Sequence, residues 1–248
     1  METTFTSASV FALLGLGLVF GLKHATEVDH VVAVSAIVSE QRSLIRSALV
    51  GILWGLGHTA SLVVVGIVVL VFRAAIPASV TSWMEFAVAL MIIGLGVLAL
   101  RRALQRRSDF HLHQHTHDGQ SHIHVHFHET TTRHGDGQSP THTHAVSAIG
   151  IKPLVVGLIH GLAGSGALTL LVLTQIRSPW LGLLYLGIFG AGSVVGMLLM
   201  SGLIGLPFVW SSRRVSGFHH RLQTTAAGLS IAFGLWYAYE SGLASGLF

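Results

Sequence analysis

The sequence predicts an all-α integral membrane protein with six transmembrane helices. The helices form a 3+3 inverted repeat, and a histidine-rich cytoplasmic loop separates the two halves. Two bulk properties indicate this class: of the 248 residues, 51% are hydrophobic and only 10% are charged, whereas soluble domains carry roughly 25% charged residues. The mean hydropathy of +0.69 agrees with this. A third observation is that similar glycine-containing motifs recur in both halves of the chain.

Six segments are apolar and long enough to cross a bilayer, which takes about 20 residues of helix. They are Ser9–Val38, Leu44–Phe72, Trp83–Leu104, Ala148–Thr174, Trp180–Trp210 and Leu222–Tyr239. The first would form about 45 Å of helix, so we expect it to be tilted, broken, or two half-helices. We divide the chain into a first repeat at 1–104, a loop at 105–147 expected to be disordered without metal, and a second repeat at 148–248.

The repeats are inferred from three pairs of matching segments. The pairs are Gly21–Ala25 with Gly157–Gly161, Gly55–His58 with Gly190–Ser193, and Gly94–Leu95 with Gly234–Leu235. Because each half has three spans, the halves would have opposite orientations in the membrane, as in many transporters. Chance agreement between glycine-rich helices is the alternative.

Basic residues predict the orientation. The first, third and fifth loops contain 11 of the 14 lysines and arginines, whereas the second and fourth contain Arg73 and Arg177. The positive-inside rule places the basic loops in the cytoplasm, so both termini lie outside the cytoplasmic (inner) membrane. The basic balance therefore indicates a lipid bilayer as partner and no nucleic acid. The absence of cysteine excludes disulfides and iron–sulfur clusters.

A polar run within the first span, from His24 to His30, predicts a metal site. Ionisable groups at membrane depth are costly and suggest function, and imidazoles with carboxylates suit transition metals. On a regular helix His24, Glu27 and His30 share one face. Asp29 would then bind only if the helix unwinds, or it would orient an imidazole from behind. The alternative is a helix that ends at Leu22, with the polar run at the surface.

Two further histidines lie inside apolar spans. His58 follows a Gly-Leu-Gly sequence in the second span, and His160 in the fourth span matches His24 in the repeat. We expect His58 to complete the site, and we place His160 there as well.

The loop is a second candidate metal site, because it holds 11 of the 17 histidines. Eight of them alternate with other residues in two runs: His111, His113, His115 and His117, then His122, His124, His126 and His128. Alternate spacing places side chains on one side of an extended chain, and histidine-rich tracts are typical of metal binding. A purification tag or a solvated linker is the alternative.

The motifs resemble those of the nickel/cobalt transporter (NiCoT) family, and of its shorter UreH-type nickel permease branch. The first family motif, a histidine followed after four residues by Asp-His, matches His24, Asp29 and His30. The second, Leu-Gly-His-Ser/Thr, matches Leu56–Thr59. The chain departs from the longer members in having six spans rather than eight and Glu27 in place of an aspartate.

The resemblance implies that the motif residues take part in recognising and moving the metal. The leading hypothesis is a permease for uptake of Ni²⁺ across the membrane, with Co²⁺ as a further candidate substrate. The ion would be a transported substrate, no prosthetic group is expected, and a cytoplasmic nickel chaperone is a candidate partner. The chain has no P-loop or zincin motif, so we expect no enzyme. Efflux through the same site is an alternative, as are a membrane metal sensor, a metallochaperone for urease or hydrogenase maturation, and an intramembrane metalloenzyme.

Overall fold

The computed structural model describes residues 7–72, 77–108, 110–117, 120–127, 150–162, 176, 178–214 and 216–247. Within these ranges the chain forms seven α-helices and a two-stranded hairpin. The helices are α1 (Ser7–His24), α2 (Val28–Val38), α3 (Leu44–Phe72), α4 (Ala78–Ser108), α5 (Lys152–Leu162), α6 (Pro179–Arg214) and α7 (Ser216–Ala238). A π-helical segment, Tyr239–Ala244, continues α7.

The apolar helices make this a multi-pass membrane protein. In the described ranges α3, α4 and α6 each contain a stretch long and apolar enough to cross a membrane. The pair α1 and α2 adds a fourth span if it is counted as one broken helix. The predicted span Ala148–Thr174 corresponds to α5, an apolar helix of 11 residues, and residues 163–175 lie outside the described ranges. The number of six spans stays a prediction.

The first span is broken where the polar run begins. The helix α1 ends at His24, α2 begins at Val28, and their axes differ by 52°. At the break the Thr26 hydroxyl donates to the Lys23 carbonyl over 2.6 Å, and the Glu27 backbone is extended. Thr26 thus provides a local hydrogen bond that competes with helix continuation. This segment was expected to be tilted, broken or two half-helices, and the structure has two half-helices.

The two halves of the chain pack closely against each other. The helix α6 contacts α1 and α3, α5 contacts α3, and α7 contacts α4. A Cβ atom on Gly21 would lie 2.1 Å from the Phe189 oxygen, and one on Gly157 would lie 2.1 Å from the Trp54 oxygen. Only glycine permits helices to approach this closely. The short helix α2 lies inside the bundle against α4, α6 and α7.

The histidine-rich loop contains an antiparallel hairpin of β1 (Phe110–His117) and β2 (Gln120–Phe127). Disorder without metal was expected for this loop, so the hairpin differs from the expectation. Its register pairs histidine with histidine three times: His111 with His126, His113 with His124, and His115 with His122. The reason lies in the sequence, since both runs alternate with a period of two, the period of a β-strand. His128 lies outside the described residues.

Candidate metal site

Four helices bring one histidine each to the centre of the bundle. His24 ends α1, His30 lies in the first turn of α2, His58 lies in the middle of α3, and His160 lies near the end of α5. All four side chains are buried, with at most 4% of their surface exposed. Unpaired polar groups are costly inside a protein, so four imidazoles packed together require a chemical reason.

The first group of close nitrogen atoms comprises His24, His30 and His58. The Nε2 atoms of His24 and His58 lie 2.9 Å apart. The ring of His30 packs edge-on against both of these rings, with centroid distances of 4.5 Å to His24 and 5.2 Å to His58. One potential ligand atom from each residue lies within 4.8 Å of the others. Such spacing suits a shared metal ion.

A second group comprises Asp29, His30 and His160, and it meets the same distance criterion. One oxygen of the Asp29 carboxylate lies 3.0 Å from Nδ1 of His30. The other oxygen lies 2.9 Å from Nε2 of His160. Asp29 therefore joins two histidines that lie on different helices.

The carboxylates define which ring nitrogens carry protons. A carboxylate accepts hydrogen bonds, and a neutral imidazole has one N–H group. We therefore assign the protons to Nδ1 of His30 and Nε2 of His160, which face Asp29. Nδ1 of His24 lies 3.1 Å from Glu27 and is assigned in the same way. These assignments follow from the hydrogen-bond geometry.

Three buried ring nitrogens then have a lone pair but no partner. They are Nε2 of His30, Nδ1 of His58 and Nδ1 of His160, none of which has a hydrogen-bond partner among the described residues. Buried polar atoms without partners are rare and often mark a site for an ion or a water molecule. A neutral imidazole lone pair is the form of histidine that binds metal.

Aromatic and glycine residues hold the cluster in place. Trp54 packs beside His160 and His30, with ring centroids 5.6 Å and 6.3 Å away, and Phe189 packs beside His24 at 5.6 Å. Between α3 and α5, a Cβ atom on Gly57 would lie 2.1 Å from the Leu154 oxygen. The close α3–α5 contact therefore positions His58 and His160.

The carboxylates of the polar run have unequal positions. Asp29 is 12% exposed and contacts two buried histidines, whereas Glu27 is 41% exposed and contacts only the ring of His24 among the polar groups described here. The helical projection placed Glu27 on the inner face and Asp29 away from it. That projection assumes an unbroken helix, and the break between His24 and Val28 removes the assumption.

One acidic residue near the site was not predicted. Glu85 lies in α4, half-buried, and its charge interacts with that of Asp29. Tyr237 of α7 lies near enough to interact with the carboxylates of Glu85, Asp29 and Glu27. The signal was present in the sequence, because Glu85 is an isolated carboxylate within an apolar span, which is the same anomaly that identified the polar run.

A cavity of about 330 Å³ lies between α2, α4 and α5. Its lining includes Ala36 of α2 and Val156 of α5, which lie on the helices that carry Asp29 and His160. The ion pair between Arg102 and Glu40 lies in its wall, and Lys152 also lines it. At roughly 30 Å³ per water molecule, the cavity has room for an ion with its hydration shell.

Fold and site together define a class: a multi-pass helical membrane protein with a buried cluster of imidazoles and a carboxylate. The chain belongs to the UreH family. It is 38% identical over 239 residues, which cover 96% of each chain, to a protein of Bacillus sp. (strain TB-90) named urease accessory protein UreH. The resemblance to the UreH-type branch is thus confirmed, and the relative's name describes an accessory protein rather than an enzyme. No family model and no solved structure matches the chain.

Proposed function

We propose that the chain is a permease that moves Ni²⁺, with Co²⁺ as a second substrate, into the cell through the buried histidine cluster. One observation carries the proposal: four buried histidines and Asp29 meet inside an apolar bundle, and three ring nitrogens there have no hydrogen-bond partner among the described residues. Imidazole and carboxylate ligands suit nickel and cobalt. The relative's name links that protein to urease, a nickel enzyme.

The depth of the cluster supports transport. Asp29 and Glu40 are 11 residues apart along α2 and its C-terminal extension, which corresponds to about 16 Å at 1.5 Å per residue. Glu40 pairs with the half-exposed Arg102 in the basic loop region expected at the membrane surface. The cluster would therefore lie near the midplane of a hydrocarbon core about 30 Å thick, where secondary transporters bind their substrates.

The proposal includes the six-span inverted repeat, with both termini outside the cytoplasmic membrane. Its support is a pair of equivalent contacts. The Cβ position of Gly21 faces Phe189 and Ser193, and that of Gly157 faces Trp54 and His58. The predicted alignment matches Gly21 with Gly157 and Ser193 with His58, so each half makes the same contact with the other.

The proposal also gives the histidine loop a role in the cytoplasm. Directly paired residues in an antiparallel hairpin have Cβ atoms about 4.5–5.5 Å apart. The three histidine pairs therefore occupy register positions at which two strands can share a metal ion. The loop would hold arriving metal and pass it to a cytoplasmic nickel chaperone.

Uptake of radioactive nickel tests the proposal. Cells that lack other nickel importers would express the wild type or the single variants His24→Ala, His30→Ala and His58→Ala. We expect wild-type cells to gain nickel and each variant to lose at least nine-tenths of that gain at equal expression. The variant His220→Ala is the matched control, since this histidine lies at the start of α7, outside the cluster, and it should retain full uptake.

Two results would contradict the proposal. Lower nickel content and better survival in toxic nickel, relative to cells without the protein, would indicate efflux. Metal binding by the purified protein with no flux into proteoliposomes would indicate a sensor or a metallochaperone.

A further inference from the structure

We infer that the buried cluster provides two successive metal positions that share His30. The outer position comprises His24, His30 and His58, and the inner position comprises Asp29, His30 and His160. This inference rests on the proposed function and adds the route that the ion takes within the site.

The two nitrogen atoms of His30 have different surroundings. Nδ1 lies 3.0 Å from Asp29, which joins it to the inner group. Nε2 is buried and has no hydrogen-bond partner among the described residues, and the imidazole packs against the rings of His160, His24 and His58, with centroid distances of 4.1, 4.5 and 5.2 Å. One ring can therefore bind an ion through Nε2 in the outer position and through Nδ1 in the inner position.

Each position requires a small local change to receive an ion. In the outer position, an ion between the Nε2 atoms of His24 and His58 would replace their 2.9 Å hydrogen bond, and these atoms would separate to about 3.3 Å at usual metal–nitrogen distances. In the inner position, the ion would replace the two hydrogen bonds of Asp29. In the ion-free cluster His58 and His160 carry their proton on Nε2, so each of these rings moves its proton to Nδ1, which has no hydrogen-bond partner among the described residues, when Nε2 binds the ion, and moves it back when the ion leaves. On transfer the His30 ring loses the proton on Nδ1 and gains one on Nε2. Each ring therefore stays neutral throughout.

The order of the positions follows from the helices that carry them. The inner position lies on α2 and α5, and both helices line the 330 Å³ cavity beside Arg102 and Lys152. Val156, one helical turn from His160, forms part of the lining. The outer position includes α1 and α3, neither of which contributes a residue to that lining. The ion would thus pass from the outer to the inner position and then into the cavity.

Three protein ligands in each position suit an ion that must leave again. A closed tetrahedral site of four protein ligands is typical of structural metals, whereas an open position allows exchange. Repulsion between two divalent ions on neighbouring ligands would also be large at this depth. We therefore expect one ion at a time, held by either group.

The test uses the purified full-length protein in lipid nanodiscs with Co²⁺ as a spectroscopic probe. His58→Ala removes only the outer position, His160→Ala only the inner position, and His30→Ala both. We expect the first two variants to bind one Co²⁺ within about tenfold of the wild-type affinity, and His30→Ala to lose at least a hundredfold. The absorption spectra should differ, because the ion has a carboxylate ligand in His58→Ala and only imidazole ligands in His160→Ala.

Asparagine at position 29 provides a second test of the inner position. Asp29→Asn should bind Co²⁺ with the spectrum of His160→Ala. Glutamine variants of the same histidines, the control His220→Ala and melting temperatures without metal exclude misfolding as the cause of a loss.

The outcomes separate this inference from the proposed function. Equal and complete loss of binding in the His30, His58 and His160 variants would show one undivided site and overturn the inference, while the permease proposal stands. Normal binding by His30→Ala would also overturn it. A wild type that binds neither Ni²⁺ nor Co²⁺ would overturn both.

Discussion

The substitution Gly157→Ala probes how closely α5 must approach α3 for the site to work. The added Cβ atom would lie 2.1 Å from the Trp54 oxygen and 3.0 Å from the His58 nitrogen. Ordinary contact begins at 3.4 Å, so the two helices must separate by about 1.3 Å, whereas metal sites tolerate about 0.2 Å in ligand distance. A shift of that size would lengthen the 2.9 Å contact between His160 and Asp29 beyond hydrogen-bond range.

We expect Gly157→Ala to bind Ni²⁺ up to about tenfold more weakly than the wild type, as in His160→Ala, because both changes disrupt the inner position; titration calorimetry on the purified protein measures this. Losing a residue that orients a ligand typically costs 10–100-fold in affinity, and the intact outer position limits the loss here. The matched control is Gly94→Ala in α4, where an added Cβ atom has no heavy atom within 4 Å. The control should bind normally and be slightly more stable, because alanine favours helix by about 1 kcal/mol over glycine. Wild-type affinity in a folded Gly157→Ala protein would refute the argument that close α3–α5 packing forms the site.

Three further predictions concern the surroundings of the site. Exchanging His113 with Gln114 keeps the number of histidines but removes one histidine pair from the hairpin register. The exchange should weaken metal binding by the loop several-fold, measured by competition dialysis. An unchanged affinity would indicate that only histidine content matters. Glu85→Gln should lower nickel uptake several-fold at low nickel concentration but little at saturation, since the charge of the Glu85 carboxylate interacts with that of Asp29. Glu240→Gln, at an exposed position, serves as the control. An equal effect in both variants would refute a local role for Glu85. The Gln223 amide donates a hydrogen bond to the Ser39 carbonyl at the end of α2 over 2.7 Å. Gln223→Leu should therefore destabilise the protein by about 1–3 kcal/mol, seen as a lower melting temperature. An unchanged melting temperature would show that water replaces this bond.

The sequence was sufficient to predict the helical membrane class and the polar run, because composition and the cost of buried charge do not depend on tertiary structure. Helical periodicity left the role of Asp29 open, because this residue would bind only if the helix unwinds or would orient an imidazole from behind. The projection that set Glu27 inside and Asp29 outside holds only for a continuous helix, and the helix is broken between His24 and Val28, where the Thr26 hydroxyl donates to the Lys23 carbonyl.

The contact between Asp29 and His160 could not be predicted from the sequence, because it depends on long-range packing. The contact between Asp29 and His160 joins residues 131 positions apart, and it depends on how closely glycines allow α5 to approach α3. No local pattern encodes that distance. Glu85 differs, because its isolation in an apolar span was visible and the same reasoning used for His24 applies to it.

The break between α1 and α2 also provides electrostatic conditions that an unbroken helix lacks. A helix carries partial negative charge at its C-terminus and partial positive charge at its N-terminus. His24 is the last residue of α1, and Asp29 lies in the first turn of α2. The end of α1 therefore favours a cation at the outer position, while the start of α2 favours the ionised Asp29 carboxylate beside it. In a continuous helix these residues would lie mid-helix, where the end charges are absent, so the break itself supports a site for a divalent cation at this depth.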